Sequence, residues 1–175
     1  MSGAAGVIVR DATSSDARAI AEVHVASWRW AYREAMTAES LDGLSVDDRE
    51  GEWSERFARR DPSEGALVAE DGGHVVGFCS FGPGRDEGSS PSAGEVYAIY
   101  LLEEAAGRGI GRDLFAAAND RLRALGYDTA TLWVMASNDR SRRFYEKAGW
   151  SWDGTTSEHR FDCADLPIVR YATEL

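Results

Sequence analysis

The chain has 175 residues, 43% of them apolar, with 30 acidic against 19 basic side chains for a net charge of -11. That length fits a single domain over residues 1–175 with a full hydrophobic core, and the apolar fraction excludes gross disorder. The acidic balance repels phosphate backbones, so nucleic acid is not expected as a partner.

The opening residues, "MSGAAGVIVRDATSSD", have no basic segment followed by a long apolar stretch, so no secretory signal is expected. No apolar run elsewhere is long enough to span a bilayer. A cytoplasmic protein without a membrane partner is the default expectation. "GVIVR" (Gly6 to Arg10) is short and β-branched and predicts a strand, and "DATSSD" offers helix caps. From Asp16, the residues Ala19, Ile20, Val23 and Ser27 recur at helical spacing and predict a helix through about Tyr32. A second helix is predicted over about Ser45 to Arg59, with Trp53 and Phe57 on one face.

"ALVAED" and "HVVGFCSFG" predict two strands, and the "DGG" between them is a hairpin signal. Cys79 falls in the second of these apolar runs, where a buried thiol is expected rather than a nucleophile. The other cysteine, Cys163, is far away and no CxxC is present, so no disulfide framework is expected. "GPGRDEGSSPSAG" (Gly82 to Gly94) predicts a loop and "EVYAIYLL" a strand. A helix follows the glycine cluster, with Ile110, Leu114, Phe115, Ala118, Leu122 and Leu125 as its apolar face and Gly126 as its stop. "TATLWVM" predicts a strand. "SNDRSRRFYEKAGW" predicts a short helix capped by Asn138 and stopped at Gly149, and two strands close the chain. The order predicts an α/β fold, a mixed sheet with helices on its faces.

Gly107, Gly109 and Gly111 sit between a strand and a helix N-terminus. Such a turn presents unpaired N–H groups and the positive end of a helix dipole, and glycines let an anion approach closely. A tight packing turn is the competing reading. The dinucleotide pattern GxGxxG fails because Arg112 stands where the third glycine is needed, and no Walker GK[ST] is present. Another pyrophosphate ligand is therefore favoured.

The segment "YAIYLLEEAAGRGIGRDLFAAANDRLRALGYDTATLWVMASNDRSRRFYEKAGW" resembles the GNAT superfamily of acetyl-CoA-dependent N-acyltransferases. Two motifs far apart carry the resemblance, the "GRGIG" loop and Asn138 followed by "FYEKAGW". It implies a mostly antiparallel sheet with helices on both faces, whose fourth and fifth strands splay to admit the pantetheine arm of acetyl-CoA. By resemblance, Ile99, Tyr100 and Leu101 pair with that arm. The N–H groups of Gly107, Arg108, Gly109, Ile110, Gly111 and Arg112 hold the pyrophosphate, with Arg108 and Arg112 as candidate charge partners. Ala106 departs from the family pattern, where Gln or Arg is common.

The implied reaction is direct attack of an amine on the thioester, which asks for a base at the amine and an acid at the leaving thiolate. Tyr145 matches the family's acid position, and Asn138 matches a pantetheine contact while also fitting a helix cap. Glu95 is a candidate base, against a solvent-facing carboxylate at a strand end. Strand alternation places Glu95 and Tyr97 on one face with Ile99. Trp28, Trp30, Tyr32 and Tyr97 are candidates to line an acceptor pocket, where aromatic faces suit cations. His24 reads as structural, and Glu158 and His159 are further acceptor-side candidates. The three histidines have no ligand spacing, so no metal is expected.

The favoured acceptor is the primary amine of a small molecule or peptide. Acetylation of a protein N-terminus or lysine, and a non-catalytic acyl-CoA-binding module, are the alternatives. The resemblance admits a homodimer.

Overall fold

The computed structural model describes residues 6–161 and 164–175, so Cys163 lies outside the described residues. One sheet holds β1 (Val7–Asp11), β2 (Gly65–Asp71), β3 (His74–Pro83), β4 (Ala93–Leu101), β5 (Thr129–Met135), β6 (Ser151–Phe161) and β7 (Ala164–Glu174). Their spatial order is β1-β2-β3-β4-β5-β7-β6. Every neighbouring pair is antiparallel except β4 with β5. The helices are α1 (Ala17–Ala31), α2 (Ala38–Asp42), α3 (Val46–Arg59), α4 (Ile110–Ala124) and α5 (Asp139–Lys147). The architecture is the expected mixed, mostly antiparallel α/β sheet.

Strand alternation divides the core into two layers. Leu67, Ala69, Cys79 and Phe81 pack with Ile110, Leu114, Phe115, Ala118 and Leu122 of α4. Their neighbours Val68 and Phe78 point the other way, against Ile20 and Val23 of α1 and Trp53 of α3. Each fully buried Leu or Phe contributes roughly 1.5–3 kcal/mol. The helix faces therefore hold the sheet between them. Cys79 is wholly buried opposite Ile99 at the sheet centre, and burial pushes its thiol far above the ordinary range.

Three local expectations need correction. The short helix α2 was not predicted; Thr37 caps it by accepting from the Ser40 N–H at 3.2 Å. The segment Gly82 to Gly94 is not loop throughout. The β3–β4 ladder continues through Gly82 opposite Glu95 and Pro83 opposite Gly94. Leu125 is 40% exposed, because α4 ends at Ala124 and Gly126, at φ 92°, turns the chain away.

A fourth correction bears on the site. Ser80 faces Ala98 and Phe81 faces Val96, so Tyr97 is an extra residue in β4. This bulge breaks the simple alternation. Val96 and Ile99 now share the α4 side of the sheet, while Ala98 and Tyr100 share the α1 side. Glu95, next to Val96, therefore lies on the face opposite Ile99.

Candidate active site

β4 and β5 pair over only Ala93 with Thr129, Gly94 with Ala130 and Glu95 with Thr131. Beyond Glu95 the two strands part, β4 staying with β3 and β5 with β7. An open strand edge leaves backbone N–H and C=O groups seeking partners. Here the gap widens into a cavity of about 1040 Å³. Ile99, Tyr100 and Leu101 line one wall, and Leu132, Val134 and Met135 the other.

The glycine loop closes the wide end of this fork. Gly107 and Gly109 take φ of 76° and 83°, a region that disfavours side chains. A Cβ on Gly107 would meet nothing within 4 Å, so the space before the loop is open. The first intrahelical bond of α4 runs from Asp113 N–H to Gly109 carbonyl at 3.1 Å. The N–H groups of Ile110, Gly111 and Arg112 are thus left for an anion. Gly111 has a different reason: a Cβ there would come within 3.2 Å of Leu101. Two glycines shape the turn and the third lets α4 approach β4, so the packing reading of the cluster holds at Gly111.

The loop side chains behave less simply. Arg108 pairs with Asp71 at 2.8 Å, at the end of β2, and is not among the residues lining the cavity. Arg112 lines the cavity but pairs with Asp113 at 3.0 Å. Ile110 is core, so only its backbone is available to a ligand. Ala106 also lines the cavity.

From α5, Tyr145 reaches the cavity while 8% exposed, packed on Phe115 and Phe144. None of the hydrogen bonds among the described residues uses its hydroxyl. Burial holds that hydroxyl well above the ordinary phenol range, so it keeps its proton at neutral pH. Asn138 caps α5 by accepting from the Ser141 N–H at 3.1 Å, and it lines the same cavity with its amide nitrogen uncommitted to that cap.

Where the strands part, Glu95 is 2% exposed, not solvent-facing. It accepts from Arg85 Nη2 at 2.7 Å, Nε at 3.2 Å and the Arg85 backbone N–H at 2.8 Å. The Tyr97 hydroxyl donates to the Pro83 carbonyl at 2.7 Å, so Tyr97 offers the cavity a ring rather than a hydroxyl. The Arg85 guanidinium lies 4.0 Å from the centre of that ring. Next to it, Asp86 accepts from Trp133 Nε1 at 2.9 Å and from Arg170 at 2.8 Å. Arg85, Asp86 and Trp133 were not singled out from sequence. The first two sit in a segment that reads only as loop.

Helix α1 supplies the remaining wall. Trp28 and Tyr32 meet edge to face at 5.0 Å, and Trp30 carries the Arg140 guanidinium at 4.6 Å. All three aromatic residues line the cavity, as do Glu158 and His159 from β6. His24 lies behind them, stacked 5.4 Å from Tyr100. Burial, with help from the Arg49 charge, lowers it to about 4, so it is neutral at pH 7. This is the structural role expected. Among the described residues no group of His, Cys, Asp and Glu is arranged to hold a metal ion. No helix there is long and apolar enough to cross a membrane.

A sheet forked beside its parallel pair, with a glycine-shaped helix N-terminus at the open end, defines an α/β acyltransferase. The chain belongs to the acetyltransferase (GNAT) family, whose model matches residues 19–150. It is 41% identical over 133 residues to the uncharacterized N-acetyltransferase YuaI of Bacillus subtilis, covering 75% of this chain and 73% of that protein. It is 36% identical over 111 residues to the mycothiol acetyltransferase of Acidimicrobium ferrooxidans, covering 59% of this chain and 35% of that protein. The chain thus spans about a third of that relative's length. In fold it is similar to the crystal structure of PaiA N-acetyltransferase from Thermoplasma acidophilum in complex with coenzyme A. That TM-score is 0.77 at 19% identity, covering 97% of this chain and 99% of that one.

Proposed function

We propose that this acetyltransferase takes its acyl group from acetyl-CoA and delivers it to the primary amine of a small molecule or peptide by direct attack. The observation that carries the reading is the fork: three paired residues, then a cavity with Tyr145 on its wall and a glycine-shaped helix N-terminus at its far end. The donor fits this chain. The free edge of β4 from Ile99 to Leu101 suits amides, and the N–H groups at the start of α4 suit a pyrophosphate. When bound, acetyl-CoA supplies an acyl group already activated on sulfur.

The residues then divide the work. Tyr145 holds a proton at Oη, where it is available to a leaving thiolate. Asn138 orients α5 through its cap and offers an amide donor to the cavity. Trp28, Tyr32 and the Tyr97 ring give an aromatic wall suited to an amine. Glu95 lies at the root of the fork, with Arg85 on both of its oxygens. A role as base therefore runs through water or through loosening of that pair.

The test is calorimetric titration with acetyl-CoA, followed by a panel of amines scored for release of free CoA. Binding with turnover is the expected result. Binding without turnover across small amines, peptides and protein lysines would leave an acyl-CoA-binding module. An absence of binding would remove the donor assignment.

A further inference from the structure

We propose that Arg85 is the docking point for a carboxylate on the acceptor, so that the amine acetylated here also carries an acidic group close to its nitrogen; this rests on the transferase reading above. Arg85 lines the cavity beside the residue at which β4 and β5 part. Its side chain is 61% exposed, whereas that of its partner Glu95 is 3% exposed. The carboxylate is behind and the guanidinium in front.

The guanidinium is also fixed in place. Nε and Nη2 bond Glu95, the Arg85 backbone N–H bonds the same carboxylate, and Tyr97 backs the planar group at 4.0 Å. Tyr97 is itself held by the Pro83 carbonyl. Nη1 enters none of the hydrogen bonds among the described residues. A free arginine loses rotamer entropy when it clamps a ligand. Here the fold has already ordered the side chain, which favours binding. Planar N–H donors match a carboxylate's oxygens in spacing and direction.

Glu95 engages only Nε, Nη2 and the backbone N–H of Arg85, so the Nη1 donors are left open. The adjacent acid, Asp86, does not compete for the open edge, because Arg170 and Trp133 occupy its oxygens. At the opposite end of the cavity, Arg112 is paired with Asp113. The geometry therefore leaves a preordered guanidinium donor edge near the fork root.

The experiment is an NMR titration of the full chain with N-acetylglycine and, separately, N-acetylglycinamide, which differ only in the terminal group, a carboxylate or a neutral amide. The acid is expected to bind at least roughly tenfold tighter than the amide. The double variant Arg85→Gln/Glu95→Gln, which leaves no buried charge unpaired, should bring the acid down to the amide's level. Arg85→Lys should fall between. Equal binding of the two probes, no measurable binding of the acid, or a preference that survives in the double variant would overturn the proposal. Acetyl-CoA calorimetry on the same samples separates the two readings. A carboxylate preference without acetyl-CoA binding would leave the Arg85 site and remove the transferase assignment. Turnover of amines with no such preference would do the reverse.

Discussion

The Tyr97 hydroxyl reaches the Pro83 carbonyl at 2.7 Å, tying the bulged residue of β4 to the last residue of β3. Arg85 lies two residues later, in the connection to β4. This bond, with that from the Gly84 N–H to the Ala93 carbonyl at 2.8 Å, holds the start of the loop beside the ring that backs its guanidinium.

Gly82 makes room for this contact. A Cβ there would fall 2.5 Å from the Tyr97 hydroxyl oxygen and 3.0 Å from Glu64. Gly82→Ala should therefore displace Tyr97 and destabilise the fold by about 1–3 kcal/mol, the usual range for overpacking. Urea unfolding measures that loss. Calorimetry on the folded variant should show acetyl-CoA affinity little changed, because the glycine loop lies at the other end of the fork.

Gly109 is constrained by backbone conformation. At φ 83° any side chain is strained, by about 1–3 kcal/mol, and a glutamate would also place negative charge at the start of α4. Gly109→Glu should abolish acetyl-CoA binding in a calorimeter while the fold persists by circular dichroism. Retained affinity would show that the anion site is elsewhere.

Removing only the Tyr145 hydroxyl separates chemistry from binding. Tyr145→Phe keeps the ring packed on Phe115 and breaks no hydrogen bond among the described residues. Its melting temperature and acetyl-CoA affinity should stay near those of the parent. Turnover of a good acceptor should fall by about 10²-fold, the lower range for a lost general acid. Unchanged turnover would take the proton-donor role away from this residue.

His24 makes stability depend on pH. Its folded value, about 4, lies below the ordinary 6.5, so the unfolded chain binds more protons between these limits. The neutral ring's contribution is complete above pH 6.5 and fades as pH falls toward 4. The total is roughly 3 kcal/mol at most. Asp16, lowered to about 2 by its bonds to Arg10, titrates below this window. Urea unfolding at pH 7 and pH 5 should show the parent losing stability and His24→Phe losing less. Identical losses would mean that another group is responsible.

Periodic elements were legible in the sequence because their burial follows a local rule. Ile110, Leu114, Phe115, Ala118 and Leu122 read as one helix face, and they are buried together. The fork was reached through resemblance rather than through periodicity, since parting of strands leaves no local pattern. The face of Glu95 was misread because a bulge depends on how two strands register. The β3 partner that reveals it is Phe81, which sits opposite Val96 rather than Tyr97. Arg85 was missed for a related reason. Its partner is ten residues away in the chain, across a segment whose glycines, serines and prolines signal only a turn. Arg108 is a candidate charge partner from its place in the motif, and what the sequence does not signal is its ion pair with Asp71, 37 residues earlier in the chain.

The burial of Cys79 provides a built-in reporter for this protein. A thiol shut inside the sheet and kept protonated there reacts with a labelling reagent only when the β3–β4 seam opens. In a Cys163→Ser background, its modification rate would time that opening directly. If substrates brace the strands on either side of the fork, labelling of Cys79 should slow as they are added, and the protection would be read without any turnover.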